Sequence, residues 1–455
     1  MHPHTLTVTA ASAMVGALLL TALPATAGAL GSSGPVGSSG SVGSTAPASC
    51  PSSPLAPPMR HLSDPGLDTR ALELAQSPAV TDAKQHLLST LEQSGLATDD
   101  AAADTMAAYV DSLALAKATD VANLGRVSLA WDQRPDRRWG LDNPDVIYRS
   151  VTVADEGTYE IRGVRNSSQN IYFQVTDVYT GDGTLGTTTG FLAGGELDTA
   201  EDGSFTLTLS SEPAEPAEPA EPGQNHLQFE PGSRFLVVRD ALSDWATQSA
   251  AELSITQVGG PTVPDPEDPA AEVARRLTLQ GEFWAGYTKD LLDVVPVNAF
   301  TPPTPASGGL PGQVNSFAQF DIDPDQALVV TVDPADAPYL GMQLGNTWFT
   351  SLDYSDRQSS LNNTQVATNP DGSVTYVVSQ HDPQVCNWVD PVGHTRGLAF
   401  LRWQDLPAGT VPGPVHTEIV SIDEFADGFA TLPRIGPGQR QAQADHRAAS
   451  VNRRG

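Results

Sequence analysis

Amide, carboxylate, imidazole and indole groups crowd into one part of this 455-residue chain. Asn346, Trp348, Asp353, Tyr354, Gln358 and Asn362 share one segment, and Asn387, Trp388, Asp390, His394 and Arg396 follow in the next long loop. Two chemistries suit these types. Exposed Trp348, Trp388 and Tyr354 would stack on or bury a neutral saccharide or lipid-like ligand, with Asn346, Gln358, Asn362, Asn387 and Arg396 lining the same pocket. Alternatively, Asp353 or Asp390 with His394 would form the acid–base pair of a hydrolase or lyase, which needs a carboxylate about 2.6–3.2 Å from the imidazole. Plain packing competes with both: the indoles plug the end of a sandwich, and Asp353 pairs with Arg396 or Arg402 to order the loops. Packing carries more weight for the cluster as a whole. Among functional readings a binding module is preferred, then the enzyme, then a structural protein that assembles with envelope partners.

Other motifs are eliminated by their context. Gly181-Asp182-Gly183-Thr184-Leu185-Gly186 spells G-x-G-x-x-G, but β-branched Thr187–Thr189 and Gly190 follow it. A dinucleotide site needs a helix to start there, so no cofactor is expected. Asp321-Ile322-Asp323-Pro324-Asp325 opens like a calcium loop, but Gln326 stands where the loop needs Gly and Val332 where it needs Glu. The histidines of the β-region show no H-x-H or H-x-x-E spacing, so no metal is expected, and no G-x-S-x-G elbow exists. Asp142-Asn143-Pro144-Asp145 with Tyr148 and Arg149 reads as a turn entering a strand.

A net charge of −30 repels phosphate backbones and anionic membranes, which disfavours nucleic-acid partners. The apolar run Ala10–Leu23 is too short to span a bilayer, and Ala25-Thr26-Ala27 offers a cleavage site. Residues 1–27 therefore read as a secretory signal, although the n-region has no Lys or Arg. No later segment is apolar for the roughly 20 residues of a membrane span, so no integral membrane segment is expected in the mature chain. Cys50 and Cys386 could pair in an oxidising compartment, or Cys386 could be a buried thiol.

The elements that would position the cluster repeat. Written 169 residues apart without a gap, Tyr148–Ser210 and Phe317–Ser379 show coincident apolar alternation: Val151 and Val153 over Phe320 and Ile322, Tyr159 and Ile161 over Leu328 and Val330, Phe173 and Val175 over Met342 and Leu344. Beyond the acidic insert PAEPAEPAEP (Pro213–Pro222) the offset drops to 163, setting FLVVR over LAFLR and Arg239 over Arg402. A mainly β fold follows, with two tandem jelly-roll or sandwich-like antiparallel modules, an N-terminal helical segment and a linking helix. The expected order is a signal (1–27), a disordered Gly/Ser/Pro leader (28–65), helices (66–125), the first β module (126–260), linker and helix (261–295), the second β module (296–425) and a disordered basic tail (426–455).

Across about residues 140–403, DNPDVIYRSVTVADEGTYEIRG, RFLVVRDALSDW, FDIDPDQALVVTV, YLGMQLGNTWFTSLDY, QSSLNNTQ, NWVDPVGHTRG and FLRW together resemble the bacterial group known as domain of unknown function family 1214. The resemblance implies a largely β, jelly-roll-like body with a linking helix, and no activity. The signal, the Ala-Glu-Pro insert and Cys386 depart from that pattern.

Overall fold

Alternation of apolar and polar residues writes two-sided strands, and each module answers with two stacked sheets. The computed structural model describes residues 50–454 except 60, 61, 63, 215–221 and 307; the expected signal and most of the Ala-Glu-Pro insert lie outside the described residues. The first module comprises β1 (Ala130–Gln133), β2 (Val146–Thr152), β3 (Thr158–Val164), β4 (Asn170–Thr176), β5 (Thr188–Ala193), β6 (Ser204–Ser210), β7 (Gln224–Gln228), β8 (Phe235–Ala241) and β9 (Glu252–Gly259). The second comprises β10 (Thr304–Pro305), β11 (Val314–Asp321), β12 (Gln326–Val332), β13 (Tyr339–Gly345), β14 (Ser360–Asn362), β15 (Val374–Ser379), β16 (Trp388–Val389), β17 (Arg396–Gln404) and β18 (His416–Ser421).

The sheets run β1-β2-β8-β4-β5 with β7-β6-β3-β9, and β10-β11-β17-β13-β14 with β16-β15-β12-β18. The second pair repeats the first strand for strand. Register supports the offsets: Tyr159 faces Leu209 as Leu328 faces Val378, and Gln174 faces Val237 as Gln343 faces Phe400. One strand differs. Tyr148 faces Arg239, whereas Arg402 faces Asn315 and not Phe317, so β2 maps onto β11 two residues earlier than the ungapped comparison set it.

Alternation along the central strands serves two cores. Leu236 and Val238 of β8 face the first sandwich interior with Ile161 and Phe173, while Phe235 and Val237 face the helices. In β17, Ala399 and Leu401 join Leu328 and Tyr376 inside the second sandwich, and Leu398 and Phe400 turn to the same helical layer. That layer holds α1 (Pro65–Ala75), α2 (Pro78–Ser94), α3 (Asp100–Ala122) and α4 (Pro269–Val294), whose Leu113, Leu277 and Trp284 are buried against both modules. Each such side chain contributes about 1.5–3 kcal/mol on burial. Asp64, Asp99 and Asp268 cap α1, α3 and α4 by accepting amide hydrogen bonds.

Two expectations are corrected. Within the leader expected to be disordered (28–65), Cys50–Met59 is joined to the second module by a Cys50–Cys386 disulfide, and the Ala56 amide donates to the Ala246 carbonyl. The expected disordered tail forms α5 (Ile422–Gly428) and α6 (Pro437–Asn452), with Arg447, Arg453 and Arg454 buried. The cause is local: Ser421 caps α5, Pro437 opens α6, and the acidic body offers carbonyls and indoles to the tail's arginines.

Candidate functional site

The structure gathers the aromatic–amide cluster of the second module but turns it inward. Asn346 closes its own turn, its Oδ1 accepting from the Trp348 and Thr350 amides. That turn drives Trp348, 2% exposed, against Tyr109 of α3, where its Nε1 donates to the Ala102 carbonyl at 2.9 Å. Tyr354 packs edge-on against Trp245. Gln358 donates to the Cys386 and Trp388 carbonyls, and Asn387 exchanges hydrogen bonds with the Ala367 backbone. Trp388 is half-buried, with its Nε1 on the Ser379 carbonyl and Arg440 over its ring. The exposed stacking surface expected of Trp348 and Tyr354 is therefore absent, because these rings lock loops to helices.

The acid–base pair also takes another form. Asp390 is buried and ion-paired to Arg357 at 2.6 Å, and Asp353 accepts from the Ser355 amide. His394, 2% exposed, meets neither in a hydrogen bond; its Nδ1 lies 3.3 Å from Asp99, the cap of α3. Asp99 also accepts from the Ala102, Thr395 and Arg396 amides. Burial alone would raise its carboxyl, yet His394 and these amides outweigh burial and hold it down at about 2. The arrangement fastens a helix end to a loop. Arg396 is exposed and pairs with Asp321 rather than with Asp353.

Asn362 leads somewhere the sequence kept separate. Its Nδ2 donates to Asp145, which also accepts from Tyr339 at 2.6 Å and from the Trp245 indole at 2.6 Å. The turn Asp142–Asp145 thus lies in the seam between modules, with Gln343 donating to the Asp142 carbonyl and Asn143 to the Tyr339 hydroxyl. Burial raises the Asp142 and Asp145 carboxyls. The glycine-rich turn Gly181–Gly186 runs into β5, not a helix, and at Gly181 (φ +92°) a Cβ would meet Gln280 and Trp284 of α4.

Two features carry no motif. One is a cavity of about 590 Å³ at the outer rim of the first module. Met59, Leu62, Leu129 and Leu253 give it apolar walls, while Asn166, Ser167, Ser249 and Glu252 supply polar groups. Arg149 reaches its floor held by Asp240 and by the Ala251 carbonyl. The other is a buried charge cluster. Lys117 of α3, 0% exposed, lies 2.7 Å from Asp120 and 3.6 Å above the Tyr179 ring centroid. The Tyr179 hydroxyl donates to Asp132, whose carboxyl is pushed up to about 6 by burial and by the Asp120 charge. Burial lowers the Lys117 ammonium despite three nearby carboxylates, Asp120, Asp182 and Asp132. A lysine inside the apolar run LALAKATDVA was the one signal for this cluster.

No family model and no curated protein matches the chain. Among solved structures, an uncharacterized protein from Burkholderia cenocepacia is similar at 24% identity and a TM-score of 0.66, over 78% of this chain and 99% of its own. A protein from Vibrio parahaemolyticus aligns at 12% identity and a TM-score of 0.40, over 69% of this chain and 97% of its own. The first likeness shows a shared fold.

Proposed function

We propose that this chain is an extracytoplasmic binding protein whose ligand, a small neutral amphiphile of saccharide or lipid-like type, occupies the rim cavity of the first module. The observation that carries the reading is the cavity itself, whose volume of about 590 Å³ falls in the range of small-molecule sites. Charge supports a neutral occupant. The Arg149 guanidinium is already met by Asp240, Glu252 adds a negative group to the wall, and the whole chain stands at −30, so an anion finds no free countercharge. A mostly polar lining with Met59, Leu62, Leu129 and Leu253 among it suits a ligand that is mainly hydroxyl or carbonyl and part hydrocarbon. Export is supported by the N-terminal pattern and by a disulfide, which persists in oxidising compartments. Among the described residues no helix is long and apolar enough to cross a membrane. The resemblance to the domain-of-unknown-function group belongs to this proposal and adds no reaction to it. The hydrolase or lyase alternative has lost its pair, since His394 is buried against Asp99.

Native mass spectrometry of protein recovered from an exporting host tests the reading, beside the Ser249→Trp variant, which fills the cavity from a half-exposed loop position. Retained mass on the parent chain and none on the variant is expected. Equal retained mass on both, or no binding of neutral glycosides and acyl esters to the parent at millimolar concentration, would overturn it.

A further inference from the structure

The tail helix sits in the module seam in the manner of a bound ligand. Arg447 and Arg454 both lie on the Trp245 ring, at 4.3 and 4.5 Å from its centroid. Arg447 donates through Nε to the Tyr354 carbonyl at 2.6 Å and through Nη2 to Ser360 at 2.7 Å. Arg454 donates through Nη1 to the Pro144 carbonyl at 2.8 Å. The seat therefore draws on loops of both modules, and Asp145 beneath it orients the Trp245 indole. Indole faces with backbone carbonyls recognise a planar guanidinium, whereas an ammonium would lose the stacking and the fork.

The resident does not fit the seat completely. Nε and Nη2 of Arg454 are buried without a hydrogen-bond partner among the described residues, and an unpartnered buried donor is destabilising. A better-placed guanidinium would gain that back. What offsets the deficit is a strap. Residues 50–59 lie across α6: the Ser53 carbonyl meets His446 Nε2 at 2.6 Å, the Pro57 carbonyl accepts from Arg453, and the Met59 amide donates to the Arg453 carbonyl. The Cys50–Cys386 bond anchors this strap at its outer end.

We propose that the seam beneath α6 is a guanidinium-recognition site, filled by the chain's own tail while the disulfide holds the strap, and open to an arginine-bearing peptide of a partner once the strap is released. Release takes two electrons and two protons from a dithiol reductant: the S–S bond becomes two thiols and the reductant becomes a disulfide. This site is separate from the rim cavity, although Met59 borders both, and its test needs no ligand in the cavity.

Hydrogen exchange on the full chain, oxidised and after dithiol reduction, gives the first reading. Exchange of residues 437–452 is expected to rise at least tenfold on reduction, with β4, β8, β13 and β17 unchanged. A labelled synthetic peptide of residues 437–455 gives the second: it is expected to bind the reduced chain, and the same peptide carrying Arg447→Lys and Arg454→Lys at least tenfold more weakly. Unchanged protection of α6 on reduction, no binding of the peptide, or equal binding of the lysine peptide would overturn the proposal. Should reduction also loosen the sheets, the His446→Ala, Arg453→Ala variant removes the side-chain contacts to the Ser53 and Pro57 carbonyls with the disulfide intact. It is expected to bind the arginine peptide, and failure to do so overturns the proposal equally.

Discussion

Replacing Lys117 by Met should be the most damaging single change in the helical layer. The Lys117 Nζ and Asp120 Oδ2 are 2.7 Å apart, and their side chains are 0% and 3% exposed. At an effective dielectric constant near 20, that separation corresponds to about 6 kcal/mol of attraction, much of it cancelled by taking both charges out of water. The substitution keeps the stem volume but leaves Asp120 buried with its countercharge gone and removes the cation over Tyr179 and Trp139. Breaking a buried pair from one side costs about 3–5 kcal/mol, and that is the expected loss. Guanidinium unfolding at pH 7, followed by far-ultraviolet dichroism and tryptophan fluorescence together, reads it. The double variant Lys117→Met, Asp120→Asn removes both charges and should recover more than half of the loss. A single-variant cost below about 1 kcal/mol, or a double variant no more stable than the single, would refute a charged pair at this position.

Asp132 gives a pH signature of known sign. Its folded-state carboxyl stands at about 6 against an ordinary 3.8, so it favours the fold below about pH 4 and loses that contribution as pH rises through 6. The gap corresponds to about 3 kcal/mol, so the stability of Asp132→Asn relative to the parent should rise by that amount between pH 4 and 7; a pH-independent difference would contradict the assignment. Trp348→Ala should cost about 3–5 kcal/mol through a cavity and a lost bond to the Ala102 carbonyl, while retained ligand mass in the folded fraction stays unchanged. A stable variant that had lost its ligand would return Trp348 to the binding surface.

Pattern in the chain was enough to reveal the duplication, because period-two alternation survives divergence wherever one face of a strand must meet a core. It could not reveal that β2 pairs two residues out of step with its counterpart, since a shift of two preserves which face every side chain takes. Alternation is weakest as a guide at β1, β5, β7, β10, β14 and β16, which lie at sheet edges, where fewer contacts impose it. Residue type likewise showed that Asn346, Trp348 and Asn362 do something specific, but not in which direction they point. Asn346 bonds within its own turn, whereas the partners of Trp348 and Asn362, namely Ala102, Asp145 and Ser243, lie more than a hundred residues away. Lys117 and Asp132 form no local motif either, because α3, β1 and the turn at Tyr179 meet only in the folded chain.

The two modules share a topology, yet different parts of the chain cover their rims. In the second module Phe300, Leu406 and Val415 pack onto the sandwich core from its own connections. In the first, Trp131, Ile147, Leu242 and Ala250 are covered by Met59 and Leu62, which belong to a segment outside the module. Met59 and Leu62 also line the rim cavity of the first module. This wall is continuous with the strap that Cys50 anchors and whose Met59 amide is tied to the end of α6. On the two proposals above, a rim ligand that displaced Met59 would change the hold on Arg453 in the seam, and the coupling would be equal in both directions.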